Sequence, residues 1–223
     1  MTRKSVVLLS GGLDSAANLA FCVERDEAVL ALTVDYGQRA ALRELARARQ
    51  FCEYYGVLHQ AVALPWLGRL GGSSLTDVSV EVPLLNLDRL DDLRLTEKTG
   101  RQVWVPNRNG VLIQVAAAFA ERLSAEQVVV GFNREEAVTF PDNSGEFLRR
   151  STDALAFSTL NQVSVYSYTT EFDKREIVSE LKKLNRGFHW DWVWSCYFGG
   201  EKVCGACESC RRFQRATQDV SLK

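Results

Sequence analysis

The sequence predicts an α/β fold built on a parallel sheet, and three observations support that prediction. Apolar runs of strand length alternate with amphipathic runs of helix length, the rhythm of βαβ units. The apolar runs are continuous, without alternating polar residues, as expected of strands covered on both faces. The first run, Ser5-Val6-Val7-Leu8-Leu9, stops at Ser10-Gly11-Gly12-Leu13-Asp14-Ser15, a glycine-bearing turn that opens straight into a helix.

The remaining elements follow along the chain. Residues 15–24 read as the first helix, and Ala28 to Val34 as a second buried strand ending at Asp35-Tyr36-Gly37-Gln38. Ala41, Leu45, Ala48, Cys52 and Tyr55 recur at steps of four and three, the face of a helix that Gly56 can terminate. Val57 to Leu64 reads as a third strand. Residues 65–104 lose periodicity, carry Gly71-Gly72-Ser73-Ser74 and a charged patch from Asp88 to Lys98, and read as an inserted loop or lid. Beyond Val105-Pro106-Asn107-Arg108-Asn109, an apolar helix face is marked by Leu112, Val115, Ala116, Phe119, Ala120 and Leu123. Glu126 to Phe132 and Val163 to Tyr168 read as strands, 145–160 and Asp173 to Leu184 as helices. Residues 1–189 thus form the α/β domain, and residues 190–223 a cysteine-rich tail.

Composition narrows the function classes. With Lys+Arg 27 against Asp+Glu 28 there is no global positive field, so nucleic acid is not the expected partner and any RNA contact has to be local. No stretch is long and apolar enough to span a bilayer, and no secretory signal opens the chain, so a cytoplasmic protein is expected. Four of the six cysteines, Cys196, Cys204, Cys207 and Cys210, fall in the spacing C-x7-C-x2-C-x2-C. Four thiolates suit tetrahedral Zn2+ and fill every coordination position, which makes such a site structural. An iron–sulfur cluster is the competing ligand set, with disulfides behind it. Cys22 and Cys52 lie on helix faces and read as small apolar core residues.

The turn after the first strand has the chemistry of an anion site. Its glycines let the backbone approach an anion, the free N–H groups of the helix start point at it, and the hydroxyls of Ser10 and Ser15 can donate to phosphate oxygens. Neither G-x-x-x-x-G-K-[ST] nor G-x-G-x-x-G is present, which excludes a Walker loop and a dinucleotide fingerprint. The plainer alternative is a turn in which Asp14 and Ser15 merely cap a helix.

S-G-G-x-D-S resembles the PP-loop of ATP pyrophosphatases, enzymes that attack ATP at its α-phosphate and adenylate a carboxylate, amide or carbonyl oxygen. Four further blocks are Asp35-Tyr36-Gly37-Gln38-Arg39, Val105-Pro106-Asn107-Arg108-Asn109, Gly131-Phe132-Asn133 leading to Phe140-Pro141-Asp142, and Trp194-Ser195-Cys196-Tyr197. In this order and spacing they resemble the 7-cyano-7-deazaguanine synthase family over nearly the whole chain. The resemblance implies ATP-dependent activation of 7-carboxy-7-deazaguanine, amide formation with ammonia and dehydration to the nitrile, with Mg2+ and Zn2+ as metals and a homodimer as the assembly. It implies catalytic roles for Ser10, Asp14, Ser15 and Lys174. Nucleotide or ring contacts are implied for Leu9, Gly11, Gly12, Leu13, Asp35, Tyr36, Gln38, Arg108, Asn109, Gly131, Asn133 and Asp142. For Lys174 the alternative is a solvated first-turn charge, since a cation at a helix start gains nothing from the dipole. Trp190, Trp192 and Trp194 alternate, so one face can stack on a heterocycle or pack beside the zinc.

The chain departs from the family pattern at Ala40, which replaces His, at Asn107, which replaces Gly, and at Glu136, which replaces Asp. It also carries Thr139-Phe140-Pro141-Asp142-Asn143-Ser144 in place of Gly-Tyr-Pro-Asp-Cys-Arg. Losing that Arg removes a bidentate partner for a carboxylate or ring edge; Arg149 or Arg150 can take over the role, or can equally form a solvated helix face. Three alternatives stay open: joining the activated deazapurine to another amine, for example on a protein, with an amide as product; a tRNA-modifying activity; or a non-enzymatic zinc module that binds nucleic acid or a partner, with an inactive phosphate loop.

Overall fold

In the computed structural model, which describes residues 2–218, five parallel strands make one sheet. They are β1 (Lys4–Leu8), β2 (Glu27–Asp35), β3 (His59–Ala63), β4 (Gln127–Val129) and β5 (Ser164–Tyr166), in the order β3-β2-β1-β4-β5. Met1 and the last five residues of the expected 190–223 tail lie outside the described residues. The central strand β1 pairs on both sides, Val6 standing opposite Leu30 and Val128, so its apolar run has no edge and no wet face. Strand order reverses at β1, and such a reversal opens a crevice at the carboxyl ends of the flanking strands. The Ser10–Ser15 turn and the Gly131–Asn133 turn leave the sheet there, on either side of the crevice.

Helices cover both faces. On one side α1 (Leu13–Arg25), α2 (Ala41–Tyr55), α8 (Lys174–Leu181) and α9 (Glu208–Thr217) enclose a core that includes Leu19, Phe21, Phe51 and Ile177. On the other, α5 (Arg108–Arg122) and α7 (Gly145–Ser158) bury Ile113, Ala116, Ala120 and Leu155 against the sheet. The short α3 (Pro65–Gly68) and α6 (Arg134–Ala137) complete the set, with α4 (Leu93–Val103). No helix among the described residues is long and apolar enough to cross a membrane.

Strands and helices stand where the apolar pattern puts them, most with trimmed ends, while α1 and β2 run slightly longer than expected. The pattern over Glu126 to Phe132 extends past the ladder because Val130 and Phe132 are buried after the strand has ended. The larger difference lies in residues 65–104. Their aperiodic pattern predicts a loop, but the segment contains the 11-residue α4. Its buried face is Thr96, Thr99, Gly100 and Val103, which has helical spacing but almost no hydrophobicity. The segment is also anchored: Arg39 Nη2 donates to the carbonyls of Asp77 at 2.8 Å and Val80 at 2.7 Å, and Leu85 N donates to Ala206 O at 3.2 Å.

Asn107, which replaces the family glycine, precedes α5 with φ 50° and ψ 27°, the left-handed region that Asn tolerates better than other side chains do. Its carbonyl accepts the first helical bond, from Val111 N at 3.0 Å. Replacing Asn107 by Ala is expected to lower the unfolding free energy by about 1 kcal/mol, and Asn107→Gly to leave it nearly unchanged, in urea titrations followed by circular dichroism. Equal destabilisation by the two would show that backbone strain is not what the position is selected for.

Candidate active site

At the end of β1 the backbone of Leu9 donates to Leu32 O at 2.9 Å, keeping the chain in the sheet until the turn begins. Ser10 and Ser15 then face each other, with their hydroxyls 3.1 Å apart and Ser10 N donating to Ser15 Oγ at 3.2 Å. Gly12 caps α1 with no side-chain bond, and its N–H donates to Ser10 Oγ at 3.4 Å. Two braces come from the distant C-terminal segment. Trp194 N donates to Gly11 O at 2.9 Å, and Leu13 N donates to Ser195 Oγ at 3.4 Å. Gly131 closes the other side: a Cβ there would lie 2.6 Å from Ser15 N and 2.8 Å from the Asp14 carbonyl carbon. Only glycine lets the two turns of the crevice approach this closely.

Lys174, the first residue of α8, is buried, and its ammonium is held by Asp14 Oδ2 at 2.5 Å and Glu136 Oε1 at 2.8 Å. It is therefore not a solvated first-turn charge. Burial would strip its proton, but the two carboxylates hold its pKa above the ordinary value. Burial pushes the Asp14 carboxyl up to about 6 against the pull of Lys174. Glu136 goes the other way, the Lys174 ammonium overriding its desolvation and holding it below the usual range. Asp14 Oδ1 is buried without a partner. Lys174 thus joins α1, α6 and α8 through a single charge.

Above this cluster lies a cavity of about 260 Å³ whose lining includes Leu9, Ser10, Gly12, Leu13, Asp14 and Ser15 of the turn. Tyr36, Gln38, Arg108, Asn109 and Gly131 share that lining, so the structure brings most of the anticipated residues together. Arg108 extends over the Tyr36 ring at 6.0 Å from its centroid, and its Nε donates to Asn109 Oδ1 at 3.2 Å. Gln38 is a staple: its amide donates to Val34 O at 3.0 Å and Glu44 Oε2 at 2.8 Å, and its Oε1 accepts from Tyr36 N at 2.9 Å. Those bonds occupy the Gln38 amide and orient Glu44, which lines the cavity and which the motif blocks did not single out. The only sequence signal for Glu44 is its place six residues after Gln38, on the first turn of α2.

Other anticipated residues stand outside this cavity. Asp35 Oδ1 accepts from Gly37 N at 2.9 Å and shapes its own turn. Asn133 caps α6, its Oδ1 accepting from Glu136 N at 2.8 Å, while its Nδ2 is buried without a partner. Asp142 lines an adjoining chamber. Arg149 and Arg150 pair with Glu146 on the exposed face of α7, and neither replaces the missing family Arg. Trp190 and Trp192 lie in a 3-10 turn, where Trp192 packs edge-on against Phe51, so the alternating stripe does not form, and only Trp194 reaches the cavity.

Cys196, Cys204, Cys207 and Cys210 bring their Sγ atoms within 4.8 Å of one another. Cys204 and Cys210 stand 3.9 Å apart, against a tetrahedral edge of about 3.8 Å for metal–sulfur bonds of about 2.3 Å. Backbone N–H groups of Phe198 and Cys204 point at Cys196 Sγ, and those of Ala206 and Cys207 at Cys204 Sγ, donors that stabilise thiolates. The donor set fits a tetrahedral metal ion.

Burial lifts the Glu44 carboxyl from 4.5 to about 7. Between those values the folded chain holds a proton that the unfolded chain has released, so stability falls as pH rises through that window and stays lowered above it. Glu44→Gln removes this loss. Its melting temperature relative to wild type is expected to be higher at pH 8 than at pH 5, and a pH-independent difference would place Glu44 outside the desolvated site.

A family model described as "Queuosine biosynthesis protein QueC" matches residues 4–221. The 7-cyano-7-deazaguanine synthase of Desulforudis audaxviator (strain MP104C) is 52% identical over 217 residues, 97% of this chain and 97% of that protein. The enzyme of the same name from Methanosarcina mazei is 43% identical, over 99% of this chain and 96% of the relative. Among solved structures, the U34-tRNA thiolase NcsA from Methanococcus maripaludis with its [4Fe-4S] cluster superposes with a TM-score of 0.49 at 17% identity, covering 98% of this chain and 66% of that one. By the span of the family match and the identity of full-length relatives, this chain belongs to the QueC family.

Proposed function

We propose that this chain is an ATP-dependent ligase that converts 7-carboxy-7-deazaguanine and ammonia into 7-cyano-7-deazaguanine, with AMP and pyrophosphate as by-products. The observation that supports it best is the Ser10–Ser15 turn, which opens at the switch point of a parallel sheet into a cavity that also holds Arg108.

The chemistry follows from the residues. A carboxylate is a poor electrophile, so one of its oxygens attacks the α-phosphorus of ATP, the bond to pyrophosphate breaks, and a mixed anhydride with AMP forms. Ammonia adds to the acyl carbon and AMP leaves, giving the amide. A second ATP activates the amide oxygen, and loss of two amide protons with AMP leaves the nitrile. The amides at the start of α1 and the hydroxyls of Ser10 and Ser15 bind the phosphates, the hydroxyls trading their mutual hydrogen bond for phosphate oxygens. Lys174 places a fixed cation on Asp14, at the edge of the turn, where negative charge accumulates on the leaving pyrophosphate. Mg2+ brought with the nucleotide supplies further neutralisation, and Asp14, with its unpartnered Oδ1, is the residue that would hold it. Zn2+ is the ion the four thiolates suit, and bound there it supplies a structural crosslink. The homodimer is carried forward from the resemblance, and the nearly fully exposed Phe157 and Leu160 offer apolar area for it. All reactants are water-soluble, which suits the cytoplasm.

Product mass and AMP count test the reaction. The nitrile with two AMP per product is expected; an amide with one AMP would overturn the assignment. Ser10→Ala is expected to lower pyrophosphate release by about 10²-fold. Unchanged release in a folded variant would remove the turn from catalysis. Elemental analysis should find one zinc per chain, and its chelation is expected to lower the melting temperature.

A further inference from the structure

A second chamber of about 120 Å³ adjoins the first and shares Arg108, Glu136, Asn143 and Tyr197 with it. Its own walls include Trp104, Phe140, Asp142 and the Glu208–Arg212 ion pair, whose guanidinium is already engaged by Glu208 and Glu135. The ring planes of Trp104 and Phe140 are 10° from parallel, with centroids 6.3 Å apart, so the chamber presents flat aromatic faces in one orientation. That orientation is built in. One helical turn before Trp104, a Cβ on Gly100 would lie 2.8 Å from Thr139 Cγ2 and 3.3 Å from the Phe140 ring, so α4 sits directly on the Thr139-Phe140 segment. Asp142 follows in the turn Pro141–Asn143, its Oδ1 accepting from Asn143 Nδ2 at 3.2 Å and its backbone carbonyl accepting from Asn109 Nδ2 at 3.4 Å. Arg108 makes its own hydrogen bonds through Nε and Nη1.

We propose that this chamber is where the acid binds. The deazapurine ring lies flat on Trp104 and Phe140, Asp142 accepts from the ring N1–H and the 2-amino group, and Arg108 takes the carboxylate and turns it toward the cavity that receives ATP. Stacking suits a planar heterocycle of any pattern, so selectivity rests on the polar ends. A carboxylate matches two adjacent N–H donors, and a guanidinium matches the carboxyl group at the other end of the ring. Asp142 is desolvated, and its carboxyl sits above the ordinary value although Arg108 pulls it down. A paired donor edge would be favoured there. The placement also accounts for the missing family Arg at 144: Ser144 caps α7 by accepting from Phe147 N at 3.2 Å, and Arg108 stands at the junction of the two chambers.

This inference rests on the proposed reaction, and one set of assays separates the two. Zinc-loaded wild type is supplied with magnesium, ATP and ammonium and assayed for AMP release with 7-carboxy-7-deazaguanine and with its analogue lacking the 2-amino group. No AMP with either would sink the reaction itself. With the reaction present, wild type is expected to prefer the aminated acid by about tenfold or more in kcat/KM, and Asp142→Asn to bring that preference below about threefold. Asp142→Asn and Trp104→Ala are each expected to raise KM for the acid about tenfold and to leave KM for ATP within about twofold. An unchanged preference in Asp142→Asn, or KM values for ATP and acid that rise together, would overturn the chamber assignment. If Trp104→Ala does not fold, the preference ratio of Asp142→Asn decides alone, since a ratio is independent of the amount of active protein.

Discussion

The site depends on one buried charge. The Lys174 ammonium, closed in by Asp14 and Glu136, gathers the starts of two helices and the short α6 into a single electrostatic unit. Removing an ammonium from water is costly, and the cost is offset only when close carboxylates surround it. With two acids and one base, the unit cannot be fully neutral while both acids are ionised. Asp14 bears the difference, its carboxyl lifted to about 6 by burial. With both acids ionised the unit carries one net negative charge and favours a further cation beside Asp14, whose Oδ1 has no partner.

Most of the framework was legible in the chain. The apolar runs of β1, β2 and β4 and the periodic faces of α2 and α5 announce themselves because their buried positions are hydrophobic and evenly spaced. α4 and α9 did not, for a common reason. The buried face of α4 is made of Thr96, Thr99, Gly100 and Val103, and that of α9 of Glu208, Cys210, Arg212 and Ala216. Their burial is satisfied by polar pairing: Thr99 Oγ1 donates to Glu208 Oε2 at 2.8 Å, and Arg212 binds both Glu208 and Glu135. Hydrophobic periodicity has nothing to detect where charges are buried in pairs.

The site was legible in its motifs and not in its cross-links. The turn and the four cysteines follow from local spacing, and Arg108 from the family resemblance. Gln38 lines the cavity as its motif leads one to expect, but its hold on Glu44 comes from tertiary packing that no motif shows. Arg149 and Arg150 show the converse, since only the exposed ion pairs with Glu146 reveal that they face away from the cavity.

The brace between the cysteine segment and the turn also constrains how the protein matures. Leu13 and Ser195 are 182 positions apart, so a ribosome makes the turn long before the residues that support it. Trp194, whose N–H grips Gly11, lies beside the cysteine cluster. Ordering of the cysteine segment therefore completes the turn, and a chain shortened before that segment holds the loop without the clamp that shapes it.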